Sequence, residues 1–138
     1  WGLAVRVGVG WDSGEWTISD KAGMLTFLRQ HVDFPKTNAA NDHRYCNLII
    51  QRRRLPCTPT HDFINAHPRQ IRNICSRGGR CYSRYNQCDS KAAYKLTRCR
   101  LVRRNPGARC VYRGRSETRR IRLACDNERL PVRLVRVL

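Results

Sequence analysis

The chain has 138 residues, of which 41% are hydrophobic, and it carries a formal net charge of +18 at pH 7. A chain of this length forms one domain, and its hydrophobic content excludes a disordered basic tail. No apolar stretch approaches the roughly 20 residues of a membrane-spanning helix, so the sequence predicts no transmembrane segment.

The positive charge is unevenly distributed along the chain. Residues 1–43 contain four lysines and arginines against five acidic residues, whereas residues 44–138 contain 24 against five. Arginine outnumbers lysine 24 to 4, and its planar guanidinium suits bidentate binding of phosphate. The composition therefore predicts polyanionic partners, which are RNA or other nucleic acid, anionic membranes and the polyanions of bacterial surfaces.

The first predicted element is a helix that ends at His31. We interpret residues 1–23 as an N-terminal extension of uncertain status and residues 24–138 as the folded domain. Ser19 or Asp20 is expected to cap the helix. Apolar residues recur at helical spacing and predict one buried stripe, formed by Met24, Leu25, Leu28 and Val32.

Two further short helices are expected. Asn41 or Asp42 can cap a helix that runs to about Arg53 and exposes a basic run of three residues, Arg52, Arg53 and Arg54. Pro68 suits the first position of a helix over residues 68–75, and Gly78-Gly79 breaks it. His43, His61 and His67 follow loop or cap signals and are expected at the surface.

After Arg80 the pattern changes to alternation, which predicts antiparallel strands. Turns are expected at Asn105-Pro106-Gly107 and near Gly114. Because helices come first and strands follow, the order indicates an α+β fold.

All eight cysteines lie between Cys46 and Cys125, and no two of them form a CxxC pair. An even number with wide spacing predicts four disulfides in a secreted protein, although eight cysteines allow 105 pairings. We expect no metal site and no cofactor.

Several motifs resemble the vertebrate secreted pancreatic ribonuclease family, and within it the leukocyte and angiogenin-like branch. They are the segment from Phe27 to Thr37, the triplet Tyr45-Cys46-Asn47, the run from Arg52 to Leu55, Phe63, and the closing Leu130-Pro131-Val132. The resemblance covers residues 24–138 and implies a ribonuclease A-like α+β fold of three short helices and a curved antiparallel sheet. It also implies the pairs Cys46-Cys99, Cys57-Cys110, Cys75-Cys125 and Cys81-Cys88.

The resemblance further implies a metal-free mechanism in which the RNA 2′-hydroxyl attacks the neighbouring phosphate. In the family, a helix histidine is the general base, a histidine in the last strand is the general acid, and a lysine stabilises charge on the phosphate. His31 occupies the base position, and Gln30 beside it is a phosphate-contacting amide. The basic residues Arg52, Arg53 and Arg54 resemble the segment that angiogenin-like proteins use to contact nucleic acid.

Four positions depart from the family pattern. Thr58 replaces the lysine, and Asp62 replaces the base-reading threonine with a carboxylate that would repel phosphate. Arg133 replaces the acid histidine, and Val135 replaces its supporting aspartate. Since arginine keeps its proton at neutral pH, Arg133 can bind phosphate but cannot protonate a leaving oxygen.

We therefore expect a secreted, monomeric, strongly cationic protein, extracellular or stored in leukocyte granules. It would bind RNA and other polyanions, have lost most or all catalysis, and act in host defence as an antimicrobial protein. The alternatives are a weakly active pyrimidine-type endoribonuclease, with His31 as its base, and an angiogenin-like signalling ligand.

Overall fold

The computed structural model describes residues 4–5, 16–82, 86–107 and 109–138, with side chains described from Lys21 onward. Three helices are present in these ranges: α1 (Ile18–His31), α2 (Asp42–Arg52) and α3 (Pro68–Asn73). The strands of the same ranges are β1 (Ala4–Val5), β2 (Trp16–Thr17), β3 (Thr60–Ile64), β4 (Gly79–Tyr82), β5 (Gln87–Ser90), β6 (Tyr94–Asn105), β7 (Arg109–Arg119), β8 (Ile121–Cys125) and β9 (Pro131–Val137).

The strands pair antiparallel throughout. β1 pairs with β2, the order β3-β6-β7 forms a three-stranded sheet, and the order β4-β5-β8-β9 forms a four-stranded sheet. Three helices combined with antiparallel sheets confirm the predicted α+β class. Within the described ranges, no helix has the length and hydropathy to cross a membrane.

Helix α1 ends at His31 as predicted, but it begins at Ile18. Ser19 and Asp20 therefore lie inside the helix and do not cap it, because β2 leads directly into its first turn. Most of the predicted extension lies outside the described residues. In the predicted stripe Met24 and Val32 are buried, and the stripe also includes Phe27, which is fully buried and which the prediction omitted.

The chain divides into two compact units, of which the first comprises Trp1–Leu28, His67–Ala93 and Arg120–Leu138. It contains α3 and the four-stranded sheet. Its buried side chains include Met24, Ile71, Ile74, Leu123 and Leu130.

The second unit comprises Arg29–Ala66 and Tyr94–Arg119. It holds α2 against the three-stranded sheet. Asn41 caps α2 by accepting from the Arg44 amide at 2.9 Å, as the sequence predicted. The core of the unit consists of Tyr45, Cys46, Ile49, Ile50, Leu55, Phe63, Cys99 and Tyr112.

Gly114 is not at a turn, which corrects the sequence prediction. It lies within β7 opposite Cys99, where a Cβ atom would overlap the Asp42 carbonyl oxygen and lie 2.8 Å from Cys46 Sγ. Glycine is needed here because the first turn of α2 approaches the strand backbone closely.

The four disulfides join the pairs that the resemblance implied. Cys46-Cys99 and Cys57-Cys110 lie in the second unit, and Cys75-Cys125 and Cys81-Cys88 lie in the first. The two bridges of the first unit touch, with Cys88 Sγ 3.6 Å from Cys125 Sγ.

Candidate functional site

His31 is held against strand β3 by the chain that follows helix α1. Val32 bridges Ile64 in parallel, and the Asp33 amide donates to the Ile64 carbonyl at 3.0 Å. His31 Nδ1 lies 2.9 Å from the Asp62 carbonyl oxygen. Because a carbonyl can only accept, Nδ1 carries the proton, and the neutral ring has its lone pair on Nε2. This tautomer is the one that a general base at Nε2 requires.

His61 makes the reciprocal contact. Its Nε2 donates to the Gln30 carbonyl oxygen, and its ring stacks on His31 with centroids 4.7 Å apart and an interplanar angle of 12°. The Phe63 ring contacts the His61 ring, with centroids 4.7 Å apart. The expectation that His61 lies at the surface is therefore wrong, because its ring fills the space between α1 and Phe63. His43 is exposed, and His67 caps α3.

Burial disfavours the charged form of both imidazoles. It lowers the pKa of His31 to about 4, and the charge of His61 adds to the shift, whereas the hydrogen bond to the Asp62 carbonyl opposes it. Burial also lowers the pKa of His61, which its bond to Gln30 opposes. Both rings are therefore neutral at pH 7. A base with a pKa this far below neutrality accepts a proton weakly.

Thr58 supplies no charge, and its hydrogen bonds are local. Its hydroxyl donates to the Thr60 carbonyl at 2.8 Å. Its amide donates to Tyr112 Oη at 3.0 Å, and that hydroxyl donates back to the Thr58 carbonyl at 2.8 Å. The position therefore serves to attach the segment before β3 to strand β7.

Asp62 is paired with a cation, which corrects the expectation of simple repulsion toward phosphate. Its carboxylate accepts from Arg98 Nε at 3.0 Å, across the β3-β6 pairing that sets the two residues opposite each other. Arg98 also lies 3.6 Å from Glu117. A nucleobase of bound RNA at this position would meet both the Asp62 carboxylate and the Arg98 guanidinium.

The basic run at the end of α2 contains two kinds of arginine. Arg52 and Arg54 are exposed, as predicted. Arg53 is half-buried and donates to the carbonyl oxygens of Arg29 and Val32 and, at 3.0 Å, to Asp33 Oδ1. Its predicted exposure is wrong because the buried Asp33 carboxylate binds it. Arg53 is therefore engaged within the second unit, and of the three arginines only Arg52 and Arg54 present their side chains to solvent.

Arg133 and Val135 lie on β9 in the first unit. Arg133 is exposed opposite Ala124, and Val135 is half-buried. A guanidinium therefore meets solvent where the family pattern has an imidazole. Among the described residues, no three His, Cys, Asp or Glu side chains converge as a metal site would require.

Sequence reasoning missed three side chains around His31. His61 was expected at the surface, and Asp33 and Arg98 were given no role. The alternation predicted after Arg80 includes Tyr94, Leu96 and Arg98, so it indicated a strand with Arg98 on one of its faces. The pairing of that strand with β3 was not visible in the sequence, since β3 has only five residues.

The pancreatic ribonuclease family profile matches residues 23–135. The chain is 38% identical to "Ribonuclease pancreatic" from Iguana iguana over 116 residues, which are 82% of this chain and 96% of that protein. It is 36% identical to an angiogenin from Aotus trivirgatus, covering 80% and 75% of the two chains. The crystal structure of green turtle egg white ribonuclease aligns with a TM-score of 0.73 and 42% identity, over 84% of this chain and 98% of that chain.

Proposed function

The chain belongs to the pancreatic ribonuclease family, and we propose that it is a cationic member that binds RNA while cleaving it weakly or not at all. The site around His31 supplies a neutral imidazole and the Gln30 amide, and both units carry exposed arginines. Such a surface accumulates polyanions by releasing their counterions.

One observation carries the loss of catalysis: a guanidinium, that of Arg133, stands where the family pattern has its acid imidazole. General acid catalysis contributes about 10² to 10⁴ in rate, and arginine cannot perform it. Two other features reduce the rate further. Thr58 leaves the transition-state charge without its cation, and the lowered pKa of His31 weakens the base.

We place the protein outside the cell, where its four disulfides persist. The names of its relatives, a pancreatic and an egg white ribonuclease, support this location. A net charge of +18 suits host defence, in which binding to anionic microbial surfaces does not depend on turnover.

A second candidate, weak endoribonuclease activity, is favoured by the tautomer of His31. Its Nδ1 donates to Asp62, so Nε2 keeps the lone pair that a base uses. This candidate needs an acid other than Arg133. His61 is a poor one, because its Nε2 proton is engaged by the Gln30 carbonyl and its pKa is lowered.

The test restores the missing acid and its carboxylate. We expect weak or no cleavage of a uridine-containing oligonucleotide by the wild-type protein, and a gain of about 10² in rate in the double variant Arg133→His/Val135→Asp. The matched control Arg133→Gln/Val135→Asp removes the same charge without adding an imidazole, so it should gain nothing.

Adding His31→Ala to the restored variant should abolish the gain. Weak cleavage by the wild-type protein that is lost in His31→Ala alone would establish the second candidate. Efficient cleavage that depends on His31 would refute the proposal.

A further inference from the structure

The hairpin β6-β7 carries four arginines on one face. Arg98 pairs directly with Arg115, and Arg100 pairs directly with Arg113. Residues opposite each other on antiparallel strands project to the same side, as do residues two apart on a strand. These four residues, which we call the arginine face, line one groove of about 670 Å³ in the second unit.

Like charges directly opposite each other destabilise a strand pair. Arg98 is compensated, because Asp62 and Glu117 lie 3.0 and 3.6 Å from it. In the described part of the chain, no carboxylate lies within ion-pair distance of Arg100, Arg113 or Arg115, and all three are exposed. The arginine face therefore holds three uncompensated cations on adjacent strands.

We infer that the arginine face is the main binding surface for the phosphate backbone of single-stranded RNA. The inference rests on the proposed function and assigns most of the RNA contact to Arg100, Arg113 and Arg115, which have no part in the site around His31, whereas Arg98 connects the two through Asp62. Arginines two apart on a strand are about 6.8 Å apart, and paired strands are about 4.8 Å apart. This spacing lets one extended RNA strand place successive phosphates on neighbouring guanidinium groups.

The composition of the groove favours a phosphate chain over a lipid surface. Interfacial membrane binding requires a broad apolar face beside the charges. Of the large apolar side chains that the structure shows as exposed, the groove contains one, Val102. Among the described residues that line the groove there is no Phe, Tyr or Trp, and the aromatic ring there is the imidazole of His43, whose Nδ1 accepts from the Gly114 amide at 3.0 Å. We therefore expect contact mainly with phosphates and little sequence preference.

The test removes the three uncompensated charges in R100Q/R113Q/R115Q. The probe is a fluorescent 12-nucleotide RNA with 2′-O-methyl groups, which lacks the nucleophile for cleavage. Each lost contact reduces the slope of log affinity against log salt by about 0.7, which is about fivefold in affinity at 0.1 M salt. We therefore expect the triple variant to lose about 100-fold in affinity and about 2 in slope.

The control R77Q/R80Q/R136Q changes the net charge equally at exposed arginines of the first unit. We expect it to lose less than about fivefold, because none of these three arginines lines the groove. Near-UV circular dichroism checks that each variant is folded. The single variant R113Q repeats the test with one substitution, and we expect its RNA affinity to fall about fivefold.

Equal losses in the two triple variants would overturn the inference while leaving RNA binding intact. A wild-type protein that does not bind the RNA would instead overturn the proposed function. Vesicles of equimolar phosphatidylglycerol and phosphatidylcholine, and heparin, are the competing probes. A loss on either with unchanged RNA affinity would show that the arginine face serves that polyanion, and would also overturn the inference.

Discussion

At the scale of single residues, His31 and His61 form a stacked pair that joins the end of α1 to β3 by two hydrogen bonds. Each ring donates to the backbone carbonyl of a residue next to the other histidine. His61 donates to Gln30, which precedes His31, and His31 donates to Asp62, which follows His61. The hydrogen bond to the Asp62 carbonyl fixes the tautomer of His31, whereas burial of the ring lowers its pKa. His61 therefore acts as a positioning residue, whose ring supports the imidazole beside it.

The burial of these two imidazoles makes the free energy of unfolding depend on pH. The pKa of His31 is about 4 in the folded protein and about 6.5 in the unfolded chain, so between these values only the unfolded chain takes up the proton. The contribution of His31 to the free energy of unfolding is fully present above about pH 6.5, decreases as the pH falls, and stops changing below about pH 4. We expect a loss of about 2 kcal/mol between pH 7 and 4.5, measured by urea unfolding.

His31→Gln should reduce this loss by at least half, with His61 accounting for the remainder. The chosen window lies above the range in which the ion-paired carboxylates of Asp42 and Asp89 take up protons, since their pKa values are lowered. An unchanged pH dependence in His31→Gln would contradict the assignment.

Arg52 and Arg53 provide a comparison between neighbours of the same type. Arg53 neutralises Asp33, which is only 5% exposed and also accepts from Tyr45 at 2.7 Å. Arg53→Ala leaves that buried carboxylate without its cation, so we expect a loss of about 2 kcal/mol in the free energy of unfolding. Arg52→Ala removes an exposed charge and should change stability by less than about 0.5 kcal/mol. Equal effects in thermal unfolding would show that Arg53 is not structural.

At the scale of elements, the disulfides differ in the length of chain they close. Cys46-Cys99 spans 53 residues, whereas Cys81-Cys88 joins the neighbouring strands β4 and β5 across a separation of 7. Because the loss of unfolded-state entropy grows with loop length, we expect Cys46→Ala/Cys99→Ala to lower stability by about 4 kcal/mol and Cys81→Ala/Cys88→Ala by about 2 kcal/mol. Urea unfolding of the two double variants checks the order, and a reversed order would contradict the entropic argument.

The elements also show which signals a sequence carries. α2 could be predicted, because Asn41 is a good cap and the apolar spacing is regular. Gly114 was misread, since a glycine that admits a helix backbone has the same local sequence as one that forms a turn. Strand β3 was missed because its pattern changes from exposed at Thr60 to buried at Phe63 without alternation.

At the scale of the whole molecule, the order of helices and strands was enough to predict the α+β class, and the number and spacing of the cysteines were enough to predict four disulfides. The polyanionic partners that the composition indicates stay a prediction. The motifs around His31 and the closing strand were enough to predict its family, which the profile match to residues 23–135 confirms. The pairing of Asp62 with Arg98 and the burial of Arg53 could not be predicted, because each depends on residues at least 20 positions apart. The arginine face depends on the register of β6 and β7, which alternation alone does not fix.

The contact between two bridges of the first unit has a chemical consequence. Reduction of Cys81-Cys88 by a small thiol leaves a thiolate on Cys88, whose sulfur already touches that of Cys125. Attack of the Cys88 thiolate on Cys125 forms a new bond between them and releases Cys75 as the departing thiolate. Partial reduction is therefore expected to propagate within the unit and give a mixture of bridge isomers. Purification and storage should accordingly avoid reductants entirely.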